Sequence, residues 1–467
     1  MENSTIIRIN DIEIENIKNV VNGKIFLNKI DDETRGSSVV GIYGQNGSGK
    51  SALIWAIELI KIAISGKQIP DSFAYYITSN KDYAKVKVDF DVVLSSREYM
   101  VYYTLVLKRD NNDHVFISSE DLEYSAKETK DEPKIKKTSI LSININSDEL
   151  VLNESSYGPD VRIKELSAIN KTFKQQLIIL QAVAKTNNTS YIFNEKLVSL
   201  YKDFFNDSIY YNILDSLFFY GRMNLFVLNK NSEMSYNMDI LPLTLRFNEV
   251  DSITTYDSMP LLLSKNACDI DIFKVVDNAI KQIDILINKI IPGLNIQIVQ
   301  LDKELDVNGG TKILFELVSN RDGVITPLRY ESEGIKKILA ILSSLIAMYN
   351  DKSIFVAIDE LDAGIFEYLL GEILKVIKDT GKGQLIFTSH NLRPLEVLDN
   401  SNIYFTTTNP NNKYIQFVGI KNNNNLRSTL LRTIDLGGQK ENIYENTDSY
   451  QIGKAFRKAG AILDGEK

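Results

Sequence analysis

One stretch, Gly44-Gln45-Asn46-Gly47-Ser48-Gly49-Lys50-Ser51, limits what this chain can fold into more than any other. It stands between an apolar run with strand character, Val39 to Tyr43, and an apolar run of helical period, Ala52 to Ile64. The spacing G-x-x-x-x-G-K-[ST] between strand and helix is that of a phosphate-binding loop. Its glycines leave backbone N–H groups free to cradle phosphate oxygens, and the helix N-terminus adds positive potential. In that chemistry Gly44, Gln45, Asn46, Gly47, Ser48 and Gly49 wrap the phosphate chain. Lys50 reaches the β- and γ-phosphates, and the Ser51 hydroxyl ligates Mg²⁺. A ligand-free glycine turn would need neither the lysine nor the hydroxyl at these offsets. The expectation is a nucleoside triphosphate site.

Length and composition bound the rest. A chain of 467 residues is too long for one simple core and is expected to divide into two to four units. The longest apolar stretch, Ile338 to Tyr349, is too short to span a bilayer. Met1 to Thr5 show neither a basic n-region nor a signal-peptide core, and a single cysteine, Cys268, forms no internal disulfide framework. Both point to a cytoplasmic protein with no membrane partner. With only His114 and His390 beside that cysteine, a Cys/His zinc site is not expected. A net charge of −8 argues against coating nucleic acid, because that binding rests on neutralising phosphates. The basic run Lys134 to Lys137 lies in a polar stretch and reads as a solvated loop.

Strand alternation is legible over Ile6 to Leu27, at Val86 to Val92, Tyr99 to Leu107 and Val115 to Tyr124, the last two joined by Asp110-Asn111-Asn112-Asp113. These runs predict an antiparallel meander and not further parallel βαβ units. From about residue 161 the period becomes helical, through Leu166, Ile169, Phe173, Leu177 and Leu180, then Phe193 to Phe204, then Phe273 to Ile290 before Pro292-Gly293. Residues 155–292 therefore read as a mainly helical insertion between two halves of one head, 1–154 and 293–410, followed by a tail, 411–467. No heptad pattern persists long enough for a coiled-coil arm. Strand patterns return at Leu294 to Leu301, Thr311 to Val318 and Ile403 to Thr406, and a terminal helix is predicted over Tyr450 to Ala461.

The second half supplies the complementary chemistry. Ile354 to Ile358 is an apolar strand ending in Asp359-Glu360. In a phosphate-loop ATPase the first acid holds the Mg²⁺ shell opposite Ser51, and the second orients and deprotonates the attacking water. A buried strand with acids at its exposed end is the plain alternative, and the upstream loop is what favours the catalytic one. Leu385 to Thr388 is a further apolar strand, ending in Ser389-His390, one helix-plus-strand unit later. A lone histidine is more often structural. Placed there, His390 is a candidate to contact the γ-phosphate. Upstream, Ser332 is a plausible N-cap for the apolar helix that follows, and Gly334 permits close backbone approach.

The order phosphate loop, S-x-G helix start, D-E strand and histidine strand resembles ABC-type ATPase heads. Ser332-Glu333-Gly334 is similar to the signature of the OLD-like and SMC/RecF-related group and unlike the L-S-G-G-Q of transporters. Asp359 to Gly364 resembles that group's combined Walker B and D-loop, with Asp362 as the D-loop acid. Thr388-Ser389-His390-Asn391 resembles its switch loop. Ile14-Glu15-Asn16-Ile17-Lys18 is similar to the N-terminal strand whose basic residue helps hold nucleotide, so Lys18 takes that role by resemblance. No glutamine loop can be placed. The resemblance implies an α/β fold: a P-loop ABC-type head with a parallel core sheet, an antiparallel β subdomain and the helical insertion.

It also implies ATP and Mg²⁺ as cofactors and an ATPase that dimerises around ATP. Ser332, Glu333 and Gly334 of one copy would close over ATP held by Lys50 of another, with Lys50, Glu360 and His390 as catalytic residues. OLD-like heads often carry a C-terminal TOPRIM nuclease, and no acidic constellation of that kind follows His390. Asp89-Phe90-Asp91 and Asp269-Ile270-Asp271 spell D-x-D, the first reading as a solvated strand edge. The bare head resembles the ATPase components of bacterial anti-phage systems of the PARIS, Septu and Abi type, with a separately encoded nuclease or toxin as partner. The alternatives are a DNA-repair or recombination ATPase that clamps DNA and, less favoured, a transporter's ATP-binding subunit.

Overall fold

The computed structural model describes residues 5–27, 37–129, 132–144, 167–205, 208–229, 240–249, 252–305, 311–419 and 425–464. The N-terminal half runs β1 (Ile6–Ile17), β2 (Val20–Phe26), β3 (Ser38–Tyr43), α1 (Lys50–Ile64), β4 (Tyr83–Leu94), β5 (Arg97–Arg109), β6 (Val115–Ala126) and β7 (Ile135–Asn144). Helices α2 (Ser167–Asn187), α3 (Glu195–Phe205) and α4 (Ile209–Met223) follow, then β8 (Leu225–Leu228), β9 (Ile240–Glu249), β10 (Ser252–Leu262), β11 (Lys265–Asp269) and α5 (Ile270–Ile290). The remainder comprises β12 (Leu294–Leu305), β13 (Thr311–Arg321), β14 (Val324–Pro327), α6 (Glu333–Asn350), β15 (Phe355–Ile358), α7 (Glu367–Thr380), β16 (Gln384–Thr388), α8 (Pro394–Val397), β17 (Ile403–Thr406), β18 (Tyr414–Ile415), α9 (Leu426–Leu436) and α10 (Ser449–Asp464).

The core sheet has the order β18-β17-β3-β16-β15-β8 and is parallel except for β18. Strands β15 and β16 are buried along their whole length, which is why they read as unbroken apolar runs and not as alternation. Successive residues of these strands feed opposite faces. Phe355, Ala357 and Ile386 join the core shared with α1 and the antiparallel sheet, while Val356, Ile358, Leu385 and Phe387 join the core shared with α5, α6 and α7. Helix α1 lies between two layers and is buried nearly all round, as its sequence of Ala, Leu, Ile and Trp requires.

The second layer is a six-stranded antiparallel sheet, β2-β1-β4-β5-β6-β7. It is tied to the core sheet by Gln384, whose side chain both accepts from the Ile9 N–H and donates to the Ile9 carbonyl, each at 2.8 Å. That contact sets β1, and with it the β1–β2 turn, beside the phosphate loop.

Three expectations need correction. The span 155–292 is mainly helical in its described part, through α2 to α4 and α5, but it is not an insertion outside the head: β8 is a strand of the core sheet, β9 pairs with β10, and β11 pairs with β13. A four-residue apolar run directly after a helix carries no period of its own, so β8 is invisible to pattern reading. Its boundary near residue 155 lies outside the described residues. Lys134 to Lys137 are not all loop, since Ile135–Asn144 forms β7 and Lys137 pairs with Glu123 across β6 at 2.5 Å. Asp89 is not on a solvated edge: β4 lies between β1 and β5, and Asp89 sits buried opposite Asp11. Burial, then the charge of Asp11, push its carboxyl up.

Candidate nucleotide site

The carboxyl ends of β3, β15 and β16 are adjacent, and each delivers one part of the site. After β3 the chain turns through Gly44 to Gly49 into α1. Gly49 has φ 101°, and a Cβ there would lie 2.8 Å from Val20 Cγ2, so only glycine serves. Lys50 is buried, and its Nζ donates to the carbonyls of Gly44 at 2.8 Å and Gln45 at 3.0 Å, folding back over the loop. Asn19 of the β1–β2 turn donates to the Gly47 carbonyl from outside. The Lys18 ammonium instead stands 4.7 Å from the ring centroids of both Trp55 and Tyr76, so the turn reaches the loop through Asn19.

The acidic strand meets the loop directly. Asp359, 3% exposed, accepts from the Ser51 hydroxyl at 3.1 Å and from Thr388 Oγ1 at 2.6 Å, both through Oδ1. Its Oδ2 is buried and, among the described residues, has no hydrogen-bond partner. An unpaired buried carboxylate oxygen is costly, and a divalent cation between Ser51 and Asp359 would satisfy it. The residues present therefore fit Mg²⁺.

Glu360 follows with φ 50°, a left-handed backbone that is strained for a side chain of this kind. Two neighbours hold it there: its N–H donates to Thr388 Oγ1 at 2.7 Å, and its carbonyl accepts from Lys337 Nζ at 2.7 Å.

Asp362 clamps the histidine loop. Its carboxylate accepts the backbone N–H of His390 at 3.2 Å and of Asn391 at 3.0 Å. The imidazole is held below its usual protonation range by partial burial and by the charge of Lys50, opposed by Asp362, Glu360 and Asp359. His390 thus shares the field of all four charged residues, and its surroundings favour the neutral imidazole.

The Ser332-Glu333-Gly334 turn is fastened to the same pole within the chain. Ser332 Oγ caps α6 by accepting from the Ile335 N–H at 3.4 Å, and Ser332 and Glu333 are exposed. A Cβ on Gly334 would lie 2.3 Å from the Gly364 carbonyl oxygen, so the helix start packs directly on the loop after Asp362.

Lys50, Ser51, Asp359, Glu360, Asp362 and His390 therefore converge. Reading the sequence missed three residues. Thr388 was legible as the strand end that opens the switch-loop resemblance, but not as the hydroxyl that bonds the Asp359 carboxylate and the Glu360 amide. Lys337 gave no signal beyond its place in Lys336-Lys337. Asn229 directly follows β8, the strand beside β15, and donates to Glu58 of α1; its position depends on a strand that the pattern hides.

A phosphate loop, an opposed Ser–Asp pair and a following glutamate on a parallel sheet define a P-loop ATPase head of ABC type. The chain belongs to the family described as "AAA domain, putative AbiEii toxin, Type IV TA system", whose sequence profile matches residues 39–397, well over half of it. No curated protein matches it in sequence. Among solved structures it is similar to an Smc head bound to the C-terminal winged-helix domain of ScpA, at 13% identity and TM-score 0.43, covering 88% of this chain and 98% of that one. It is also similar to an Smc head with an extended coiled coil bound to ScpA from Pyrococcus furiosus (13% identity, TM-score 0.40, 92% and 100% covered). A third is the recombination mediator RecF with ATP (14% identity, TM-score 0.34, 83% and 94% covered). Among the described residues no helix is long and apolar enough to cross a membrane.

Proposed function

We propose that this chain hydrolyses ATP and closes on a second copy of itself to do so, as the sensor or scaffold of an anti-phage defence system that holds and releases a separately encoded nuclease or toxin. The single observation that carries the enzymatic half is the Ser51–Asp359–Thr388 relay. Its one orphaned carboxylate oxygen stands beside a glutamate locked in a left-handed turn. Lys50 takes phosphate oxygens in place of the loop carbonyls it now bonds, and Ser51 with Asp359 would hold Mg²⁺, which would supply positive charge against the phosphate chain. Glu360 aligns a water and accepts its proton on the carboxylate. His390, neutral, contributes a hydrogen bond at the γ-phosphate end.

Closure between copies is supported by the exposure of Ser332 and Glu333 at a helix start braced against the Asp362 loop. The defence role is supported by the family's own description, which names a toxin system. The net charge of −8 favours a protein partner over the DNA-clamp alternative. Equilibrium binding and phosphate release test the enzymatic half. Lys50→Ala is expected to lose ATP binding, and Glu360→Gln to bind ATP while hydrolysis falls about 10²- to 10⁴-fold. Normal binding by the first, or parent-rate turnover by the second, refutes the assignment.

A further inference from the structure

The tail returns to the phosphate loop. After β17 the chain passes Thr407 to Asn412 and enters β18, placing Lys413 against Gly49: a Cβ on that glycine would lie 3.1 Å from Lys413 Cε. Tyr414 OH donates to the Gly49 carbonyl at 2.8 Å and fixes this register. Lys413 is 5% exposed, and among the described residues its ammonium has no hydrogen-bond or ion-pair partner. Partial desolvation of an unpaired cation is unfavourable, and an arriving anion offsets it. Burial does lower its protonation range, and the charge that works against this is Glu445.

Glu445 belongs to a strap, residues 439–445, laid across the loop's flank. Glu441 accepts from Asn409 at 3.2 Å and Asn412 at 3.1 Å, and the Asn442 carbonyl accepts from the Thr408 N–H at 2.7 Å. Ile443 is buried. At its end the Glu445 N–H donates to Gln45 Oε1, inside the phosphate loop, at 3.1 Å. The strap thus touches the loop through Gln45 and sets a carboxylate within the field of Lys413.

We propose that Lys413 is a further cation of the nucleotide site, contacting the polyphosphate alongside Lys50, and that the strap competes with nucleotide for it through Glu445. The inference rests on the reading of the loop as an ATP site. ATP entry releases Glu445 from Lys413 and loosens the Gln45 contact, so nucleotide affinity is set partly by the tail.

The test is equilibrium titration of the full chain with a fluorescent ribose-labelled ATP and Mg²⁺, using the parent, Lys50→Ala, Lys413→Met, Glu445→Gln and the Lys413→Met/Glu445→Gln pair. Lys413→Met is expected to weaken binding about tenfold, the loss of one charge-assisted contact. Glu445→Gln, an exposed position that leaves the core intact, is expected to tighten binding about threefold, and that gain should vanish when Lys413 is already methionine. Binding by Lys413→Met within twofold of the parent overturns the proposal. So does Glu445→Gln without a gain, or a gain that survives loss of the lysine. Saturable binding that Lys50→Ala abolishes and Lys413→Met leaves alone overturns only this inference. Absence of saturable binding in the parent overturns the ATP site itself, and this inference with it.

Discussion

Replacing Thr388 by valine keeps the shape of a fully buried side chain and deletes one hydroxyl. That hydroxyl donates to Asp359 at 2.6 Å and accepts from the Glu360 N–H at 2.7 Å, so the change leaves Asp359 Oδ1 with Ser51 as its one remaining donor among the described residues and takes this acceptor from the Glu360 amide. A hydrogen bond to a charged group is worth about 1.5–3 kcal/mol and a neutral one about 0.5–1.5 kcal/mol, giving a loss on the order of 3 kcal/mol. At roughly 2–4 °C per kcal/mol for a sizeable domain, Tm should fall by about 6–12 °C. Function should suffer beyond stability, because Glu360 keeps its left-handed backbone only while Thr388 and Lys337 hold it. Thermal melting and steady-state phosphate release at saturating ATP and Mg²⁺ are the assays, with Thr388→Ser, which restores the hydroxyl, expected near the parent in both. A valine variant that melts within about 1 °C of the parent and hydrolyses ATP at the parent rate would refute the reasoning.

Gly334→Ala should cost about 1–3 kcal/mol and depress hydrolysis, because its Cβ would meet the Gly364 carbonyl oxygen at 2.3 Å and push the Asp362 loop from the histidine loop. Melting together with turnover checks this, and parent behaviour in both would show that the contact yields freely. Glu120 is buried, accepts from Tyr103 OH at 2.6 Å and the Tyr191 N–H at 2.8 Å, and burial raises its carboxyl despite those bonds. With the folded value above the unfolded one, its contribution is fully present below the unfolded carboxyl range and is lost as pH rises through the folded value. The Tm difference between Glu120→Gln and parent should therefore shift in the mutant's favour as pH rises from about 4 upward, and a flat difference would contradict it.

Much of the head was legible because its chemistry and its strand periods coincide. The phosphate loop carries fixed glycines, and Phe355 to Ile358 and Leu385 to Phe387 are buried on both faces, so each shows an unbroken apolar run before its polar residue. β1, β4, β5 and β6 alternate because one face packs on α1 or on the helices and the other meets water. What stayed hidden lacked such a period. β8 is four residues long and abuts α4, and β7 disguises its alternation with lysines whose stems lie along the sheet. Thr388 and Lys337 act through a hydroxyl and an ammonium whose partners lie far away along the chain, and no local spacing announces them. Asn425 is the reverse case: it closes an asparagine-rich stretch that reads as polar tail, yet its side chain caps α9 by accepting from the Ser428 N–H at 3.1 Å.

The central claim is that ATP joins two copies through the exposed serine–glycine turn. The mass in solution of Glu360→Gln, measured by light scattering with and without ATP and Mg²⁺, tests it most directly. The account predicts one chain, 53.0 kDa, without nucleotide and twice that with it. Ser332→Arg added to that variant should hold the mass at one chain while ATP still binds. An unchanged mass on adding ATP, or a doubling that the arginine leaves untouched, would contradict it.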